Sequence, residues 1–256
     1  MPTLIPIQRR RQILDILVDK QSVRVSDLSE TLKVSEVTIR RDLEILEQEG
    51  LLERCHGGAV IGHHLTIEPL FSQKQTSFLD QKRKIGALAA SLIEEGETVF
   101  VGSGTTTLSI FQNLNHSELQ IVTTNIGAVT ETRMHGVQVT LTGGNYRSKS
   151  HALLGPASIL TLQYYLASKC FIGADGISTK HGLTTPLVEE AMVLKTMLER
   201  THGMRILVTD HSKFGVVAAV KLCNVKEIDV IITDSELNPS YKQDLESLGV
   251  KVLLAE

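Results

Sequence analysis

The sequence predicts two folded parts. A small helix-turn-helix unit closed by a hairpin comes first, followed by an α/β domain built on a mostly parallel sheet. Three observations predict this. A capped amphipathic helix near residues 35–46 follows a second short helical segment across a tight turn. Beyond residue 78, short aliphatic runs recur, and each ends in Gly, Thr, Asn or Asp. The chain has 256 residues, 42% hydrophobic but only 4% aromatic and without Trp, which suits aliphatic packing in more than one core.

Taken in order, Ile13, Leu14, Ile16 and Leu17 within residues 8–20 have helical spacing. Val23 and Val25 alternate like a short strand. Ser26 is placed to cap a second helix carrying Leu28 and Leu32, and Lys33-Val34 then forms the turn. Ser35 is the expected N-cap of the next helix, because its hydroxyl can accept from free amides of the first turn. Ile39, Leu43 and Leu46 recur at i, i+4 and i+7 and form its packed stripe. Val37, Thr38 and Arg41 point away from that stripe, with Arg40 on its flank. Such a face suits entry into a DNA groove, with arginines meeting phosphates or guanine edges. The bland alternative is a solvated helix face.

Gly50 is placed to stop that helix, and Leu51-Leu52-Glu53-Arg54 leads into Cys55-His56-Gly57-Gly58-Ala59-Val60. This reads as a wing: its Gly57 and Gly58 allow backbone near a phosphate, and Arg54 and His56 reach backbone or minor groove. For His56 an ordinary surface turn is the competing reading.

Charge argues against easy conclusions. The whole chain carries −3, and residues 1–60 hold nine Lys/Arg and ten Asp/Glu, a difference of −1. Bulk charge therefore does not predict nucleic-acid binding. Placement must do so, with Arg9-Arg10-Arg11, Arg24, Arg40, Arg41 and Arg54 sharing a basic edge. An isolated copy should bind DNA weakly, and tight binding should need an oligomer, a dimer or tetramer. Residues 61–77 read as a linker; its His63-His64 pair has no third metal ligand at a suitable spacing.

Residues 80–95 read as a helix with Ile85, Leu88, Ala89, Leu92 and Ile93 on its buried side and Lys82-Arg83-Lys84 solvated. Strands follow at 98–101, 119–122, 137–141, 170–172, 205–208 and 230–232. Continuous aliphatic runs imply a parallel sheet buried on both faces, and ligands on such sheets bind outside the carboxyl ends of the strands. Gly102-Ser103-Gly104-Thr105-Thr106-Thr107 is the best anion cradle among those ends, with a helix beginning near Thr107. The alternative is an ordinary glycine-rich strand-to-helix turn. It is neither a Walker motif nor GxGxxG, so no nucleotide or other cofactor is expected.

Residues 8–60 resemble the DeoR/GlpR family of bacterial sugar-responsive regulators. The resemblance is carried by Arg10, Ile13, Val23, Val25, Leu28, Leu32, Val34-Ser35, Thr38-Ile39-Arg40-Arg41-Asp42-Leu43, Leu46, Gly50, Leu52, Arg54 and His56-Gly57-Gly58-Ala59. Residues 78–250 resemble the sensor domain of the same family. There it rests on Gly104-Thr105-Thr106, Thr124-Asn125, Gly143-Gly144, Gly173-Ala174-Asp175-Gly176-Ile177, Gly182-Leu183-Thr184-Thr185, Glu190 with Lys195, the run from Asp210 to Gly215, and Ile232-Thr233-Asp234. The resemblance implies a winged helix-turn-helix at 1–60 for double-stranded operator DNA. It also implies a sensor at 78–256 with the fold of ribose-5-phosphate isomerase and CoA transferases. Its implied effector is a phosphorylated sugar or polyol that relieves repression of a carbohydrate-utilisation operon. Gly104, Thr105 and Thr106 would hold the phosphate, with Asn125, Gly144, Asp175, Glu190, Lys195 and Lys213 around the sugar. Lys195 and Lys213 bring the positive charge, although Lys195 also reads as an exposed residue on a helix at 187–199. Two departures stand out: Gly102 and Met192 replace acids frequent in the family.

The competing class is a sugar-phosphate isomerase carrying a DNA-binding domain. Those enzymes have an Asp-Gly-Ala-Asp run where this chain has Ile172-Gly173-Ala174-Asp175, and their lysine-glycine-glycine segment has no counterpart. Binding without turnover is therefore expected. A purely architectural DNA protein would have no use for the second domain. Three widely spaced cysteines, the lack of a signal peptide and the lack of a membrane-length apolar run point to a reduced, cytoplasmic protein.

Overall fold

The computed structural model describes residues 6–20, 22–48, 51–55, 57–60, 69–116, 118–132 and 136–256. The chain divides into two compact units, Met1–Glu68 and Pro69–Glu256.

In the first unit, α1 (Pro6–Lys20) is followed by β1 (Ser22–Arg24), α2 (Val25–Leu32), α3 (Glu36–Gln48), β2 (Glu53–Cys55) and β3 (Gly58–Val60). Ile13, Leu17, Leu28, Ile39, Leu43, Leu46 and Leu52 form its core, as the helical periodicity requires. Lys33 closes α2 in the left-handed region at φ 54. Ser35 caps α3: its Oγ accepts from Thr38 N–H at 3.3 Å and lies 2.9 Å from Thr38 Oγ1. The expected cap of α2 is different. That helix starts at Val25, which is drawn into the core, and Ser26 Oγ turns instead to Asp27 Oδ1. The wing joins β1 in a three-stranded antiparallel sheet of order β1-β3-β2. Gly58 is required here, because a Cβ would lie 2.0 Å from Val23 O on β1. The assignments for Gly50, His56 and His63-His64 fall outside the described residues.

One residue leaves its expected place. Arg9 does not join the basic edge but enters the interior, where its guanidinium is held in an ion pair by Asp42 of α3. Arg9 is 7% exposed and Asp42 3%.

The second unit opens with α4 (Phe71–Thr76), α5 (Leu79–Ala90), β4 (Thr98–Val101), α6 (Thr105–Phe111), β5 (Leu119–Thr123), α7 (Ala128–Glu131) and β6 (Val137–Leu141). It continues through β7 (Asn145–Arg147), β8 (Ala152–Leu154), α8 (Pro156–Gln163), β9 (Ala167–Ile172), β10 (Gly176–Ser178) and β11 (Gly182–Thr185). Last come α9 (Val188–Glu199), β12 (Thr201–Val208), β13 (Val220–Cys223), β14 (Val230–Asp234), α10 (Pro239–Ser247) and β15 (Lys251–Ala255). Among the described residues, seven strands form a sheet of order β15-β14-β12-β9-β4-β5-β6, paired in parallel throughout. Hydrophobic clusters cover both faces, as the unbroken aliphatic strands require. The chain runs outward from β4 through β5 to β6, then returns beside β4 as β9 and runs out the other way. The strand order thus reverses between β4 and β9, and their following loops diverge to leave a crevice.

Several elements differ from expectation. Residues 69–77, read as the end of a linker, belong to the second unit: Phe71 is buried, and its N–H donates to Lys149 O at 2.9 Å. α5 ends at Ala90 rather than near 95, because Glu97 captures Glu94 N–H and Gly96, at φ 78, turns the chain into β4. α6 begins at Thr105, two residues early. A small antiparallel sheet of order β10-β11-β13 was not foreseen; its strands are too short and mixed in character to read as a pattern. Burial pushes the thiols of Cys170 and Cys223 up to about 12, so both are neutral packing groups.

Candidate functional site

The exposed face of α3 is built by its cap and its buried stripe. With Ile39, Leu43 and Leu46 turned inward, Val37 is left 76% exposed near the helix N-terminus and Arg41 is exposed beside it. Thr38 is half-buried and engaged with Ser35, and Arg40 pairs with Glu36 at 3.0 Å, one turn back. Arg54 on the wing faces α3: its N–H donates to Glu47 Oε1, and its guanidinium lies 3.8 Å from carboxylate oxygens of Glu44 and Glu47. Gly57 is exposed at φ 81, at the wing turn. An apolar side chain and an arginine at the start of the second helix suit a thymine methyl and a guanine edge.

In the second unit, the loop after β4 holds Gly104 at φ 132, a conformation that disfavours any side chain and leads straight into the first turn of α6. Thr107 Oγ1 donates to Gly104 O, and so does Asn125 Nδ2, at 3.0 Å. Asn125 is fully buried and its Oδ1 accepts from Gly127 N–H. Its amide thus braces the loop that leads into α6. Gly144, immediately before β7, lets backbone approach closely, since a Cβ there would meet Leu154 O at 2.5 Å. Thr105 is half-buried and Thr106 buried at the head of α6.

Across the crevice, two expected carboxylates come together. Thr185 Oγ1 donates to Glu190 Oε2 at 2.5 Å and lies 3.4 Å from Asp175 Oδ2. Ser103 Oγ, from the cradle loop, reaches Glu190 Oε1 at 3.4 Å. Lys74 of α4 closes on Asp175 Oδ1 at 2.5 Å, both side chains about one-fifth exposed. Lys82 is not solvated. It is 4% exposed, and its ammonium donates to the carbonyls of Lys74 and Ser77. Burial pushes Lys82 down to about 8; Asp210 holds it up, while Lys213 and Lys74 push it further down. Lys82 thus lies within the field of both Lys74 and Lys213. Asp210 is held by the N–H and hydroxyl of Ser212. Lys213, half-buried, ends the short 3-10 turn 211–213.

Lys195 is not brought to this cluster. Its side chain is 62% exposed and faces Glu199 one turn along α9, 3.9 Å away. It lies five residues after Glu190, far around the helix from it. Lys74 and Lys82 supply charge instead. Lys82 had a legible signal, since with Ile85, Gly86 and Ala89 it continues the i, i+3, i+4, i+7 buried stripe of α5. Lys74 had none, because a six-residue helix shows no periodicity.

The two departures are also resolved in space. Met192 is 52% exposed and does not line the crevice. At Gly102, a Cβ would meet Leu194 Cδ2 at 2.8 Å, so α9 already fills the place an acid would take. Gly102→Asp is expected to destabilise the sensor unit by about 1–3 kcal/mol through overpacking. Leu194→Ala in the same chain should recover part of that loss, read as non-additive melting shifts in a double-mutant cycle. Additive losses would show that Leu194 is not the obstacle.

His211, Asp234 and Glu236 approach within 4.8 Å, but this group is a clasp of its own. Asp234 accepts from His211 N–H and Glu236 N–H, and its Oδ1 lies 2.8 Å from His211 Nδ1. Among the described residues, no helix is long and apolar enough to cross a membrane.

A winged helix-turn-helix with an apolar and basic recognition face, followed by an α/β unit with a polar strand-end crevice, defines a DNA-binding transcriptional regulator that carries a sensor domain. Residues 9–64 match the DeoR-like helix-turn-helix domain and residues 77–235 the DeoR C terminal sensor domain. The chain belongs to the DeoR family of transcriptional regulators. It is 34% identical over 251 residues to the HTH-type transcriptional regulator GlpR of Haloferax volcanii, covering 98% of each chain. It is 32% identical to the HTH-type transcriptional repressor GlcR of Bacillus subtilis, over 97% of this chain and 96% of that one. It is also 32% identical to the lactose phosphotransferase system repressor of Staphylococcus epidermidis, over 93% and 96%. These relatives are regulators, and the chain is a regulator rather than an enzyme. Ribose 5-phosphate isomerase A from Methanocaldococcus jannaschii overlays 54% of this chain and 55% of its own, at 16% identity and a TM-score of 0.38. A 4-hydroxybutyrate CoA-transferase from Porphyromonas gingivalis overlays 66% and 55%, at 16% identity and a TM-score of 0.43.

Proposed function

We propose that the protein is a cytoplasmic repressor of a carbohydrate-utilisation operon, released from double-stranded operator DNA by a phosphorylated sugar or polyol. The repressor sign follows relatives named as repressors, GlcR and the lactose phosphotransferase system repressor. One observation carries the effector class: the Lys74 ammonium stands against Asp175, which shares Thr185 with Glu190, and Lys82 lies within the field of Lys74 and Lys213. Clustered ammonium groups call for an anion, and carboxylates beside them accept from sugar hydroxyls. The head of α6, with Gly104, Thr105 and Thr106, offers backbone N–H groups and hydroxyls to the same anion. Lys195 has no part in this reading. On DNA, Val37 and Arg41 read bases, Ser35, Thr38, Arg40, Arg54, Gly57 and Gly58 shape or position that surface, and His56 is assigned by sequence to backbone or minor-groove contact. Two copies, as a dimer or within a tetramer, engage two half-sites.

The test is thermal unfolding across a panel of sugar and polyol phosphates. A true effector at a hundredfold excess over its Kd should stabilise the sensor by about 2.7 kcal/mol. Silence across the panel would overturn the effector class. Tightening of operator DNA by a binding compound in a gel-shift titration would overturn the sign.

Lys82 gives the binding a pH signature. Its folded pKa, about 8, lies below the ordinary 10.5. Between these values the unfolded chain binds more protons, so stability should rise with pH across that window, and Lys82→Met should abolish the rise. A bound phosphate favours the charged form, so effector affinity should weaken above pH 8 in the wild type. Calorimetric titrations at pH 7 and 9 check this, and equal affinities would place Lys82 outside the binding field.

A further inference from the structure

The chain enters its second unit through α4, and α4 is fastened at two points, to the turn between β7 and β8 and to the loop after β9. At the turn between β7 and β8, Phe71 N–H donates to Lys149 O, and the Phe71 ring stacks on His151 with centroids 4.4 Å apart and planes 7° from parallel. On the β9 side, Lys74 is ion-paired to Asp175. Lys82 ties down the end of the helix through the carbonyls of Lys74 and Ser77. The carboxylate that holds α4 also stands beside Thr185 and Glu190 in the crevice. One ammonium thus serves two purposes, as the clasp of α4 and as part of the positive field that meets an anion.

We propose that α4 is the output strap of the sensor: a phosphorylated effector draws Lys74 away from Asp175, a ligand hydroxyl takes its place on that carboxylate, and α4 leaves its seat. The segment leading back to the DNA-reading unit starts at this helix, so freeing α4 changes the tether of that unit. This rests on the effector reading above. A ligand shifts such an equilibrium only by its preference for one state, and here the preference is the exchange of Asp175 for the effector's anion on Lys74. Coupling is reciprocal: operator DNA that favours seated α4 weakens effector binding by the same factor.

Hydrogen exchange of the full-length protein tests this, with peptides covering α4 read against peptides covering β4 and β5. Without any ligand, Asp175→Asn and Lys74→Met should each speed exchange in α4 by about tenfold or more and leave the sheet protected. The swapped pair Lys74→Asp with Asp175→Lys should restore protection of α4. In the wild type, a probe that raises the melting temperature should bring α4 to the Asp175→Asn rate; inorganic phosphate, ribose 5-phosphate, glucose 6-phosphate and glycerol 3-phosphate are the probes. Unchanged α4 exchange in both single variants overturns the strap. So does a probe that stabilises the protein without loosening α4. If no probe stabilises the protein, the effector reading is what fails, and the ligand-free arm still decides whether the ion pair seats α4.

Discussion

Asp42→Ala is expected to unfold the DNA-reading unit while leaving the sensor unit folded. Asp42 and Arg9 form an ion pair that is almost wholly removed from water, joining α1 to the middle of α3. Removing one partner strands a charge in the interior and costs about 3–5 kcal/mol, enough to unfold a domain as small as this one. Calorimetry of the full chain should show early loss of one transition, with the sensor transition unmoved. Arg9→Met with Asp42→Leu, which removes both charges, should recover most of the stability, because apolar pairs of similar volume often replace buried ion pairs without loss. A single Asp42→Ala variant that melts like the wild type would show that the pair is solvated in solution.

Arg41→Ala should produce the second large effect, on DNA alone. Arg41 is exposed on the face opposite Ile39 and Leu43, beside Val37. A bidentate contact to guanine is worth about 1–3 kcal/mol of discrimination per copy, and two copies on one operator lose twice that. Melting temperature should not change. Binding measured against operator and random duplexes separates the roles: a loss confined to the operator marks base readout, and equal losses mark a phosphate contact. Arg40 should matter less, because its guanidinium already pairs with Glu36 on the same exposed face.

Much of this was legible in the chain. The spacing of Ile39, Leu43 and Leu46, with Ser35 ahead of them, fixed the orientation of α3 and hence which side chains face outward. The aliphatic runs located the sheet, and their polar ends located the crevice. Asp175 and Glu190, expected from resemblance, stand on either side of Thr185. Other assignments failed for identifiable reasons. Arg9 looked like part of a basic edge because charge patterning cannot distinguish an outward arginine from one with a buried acid 33 residues away. Lys195 is placed around the sugar by the resemblance alone, but the turn of α9 carries it to solvent. Asn125, placed among ligand contacts by the resemblance, is fully buried and braces the loop after β4 through Gly104 O and Gly127 N–H.

The sequence by itself determined the two-part architecture, the helix-turn-helix and the glycine-led turn into α6, because each is written in short-range periodicity, capping and glycine placement within some fifteen residues. Only the tertiary structure decided which charged groups stand against one another. Structure brings together Lys74 and Asp175, 101 residues apart in the chain, and Lys82 and Asp210, which follows β12. That convergence depends on which strands are neighbours in the sheet, and no local pattern in the chain encodes it.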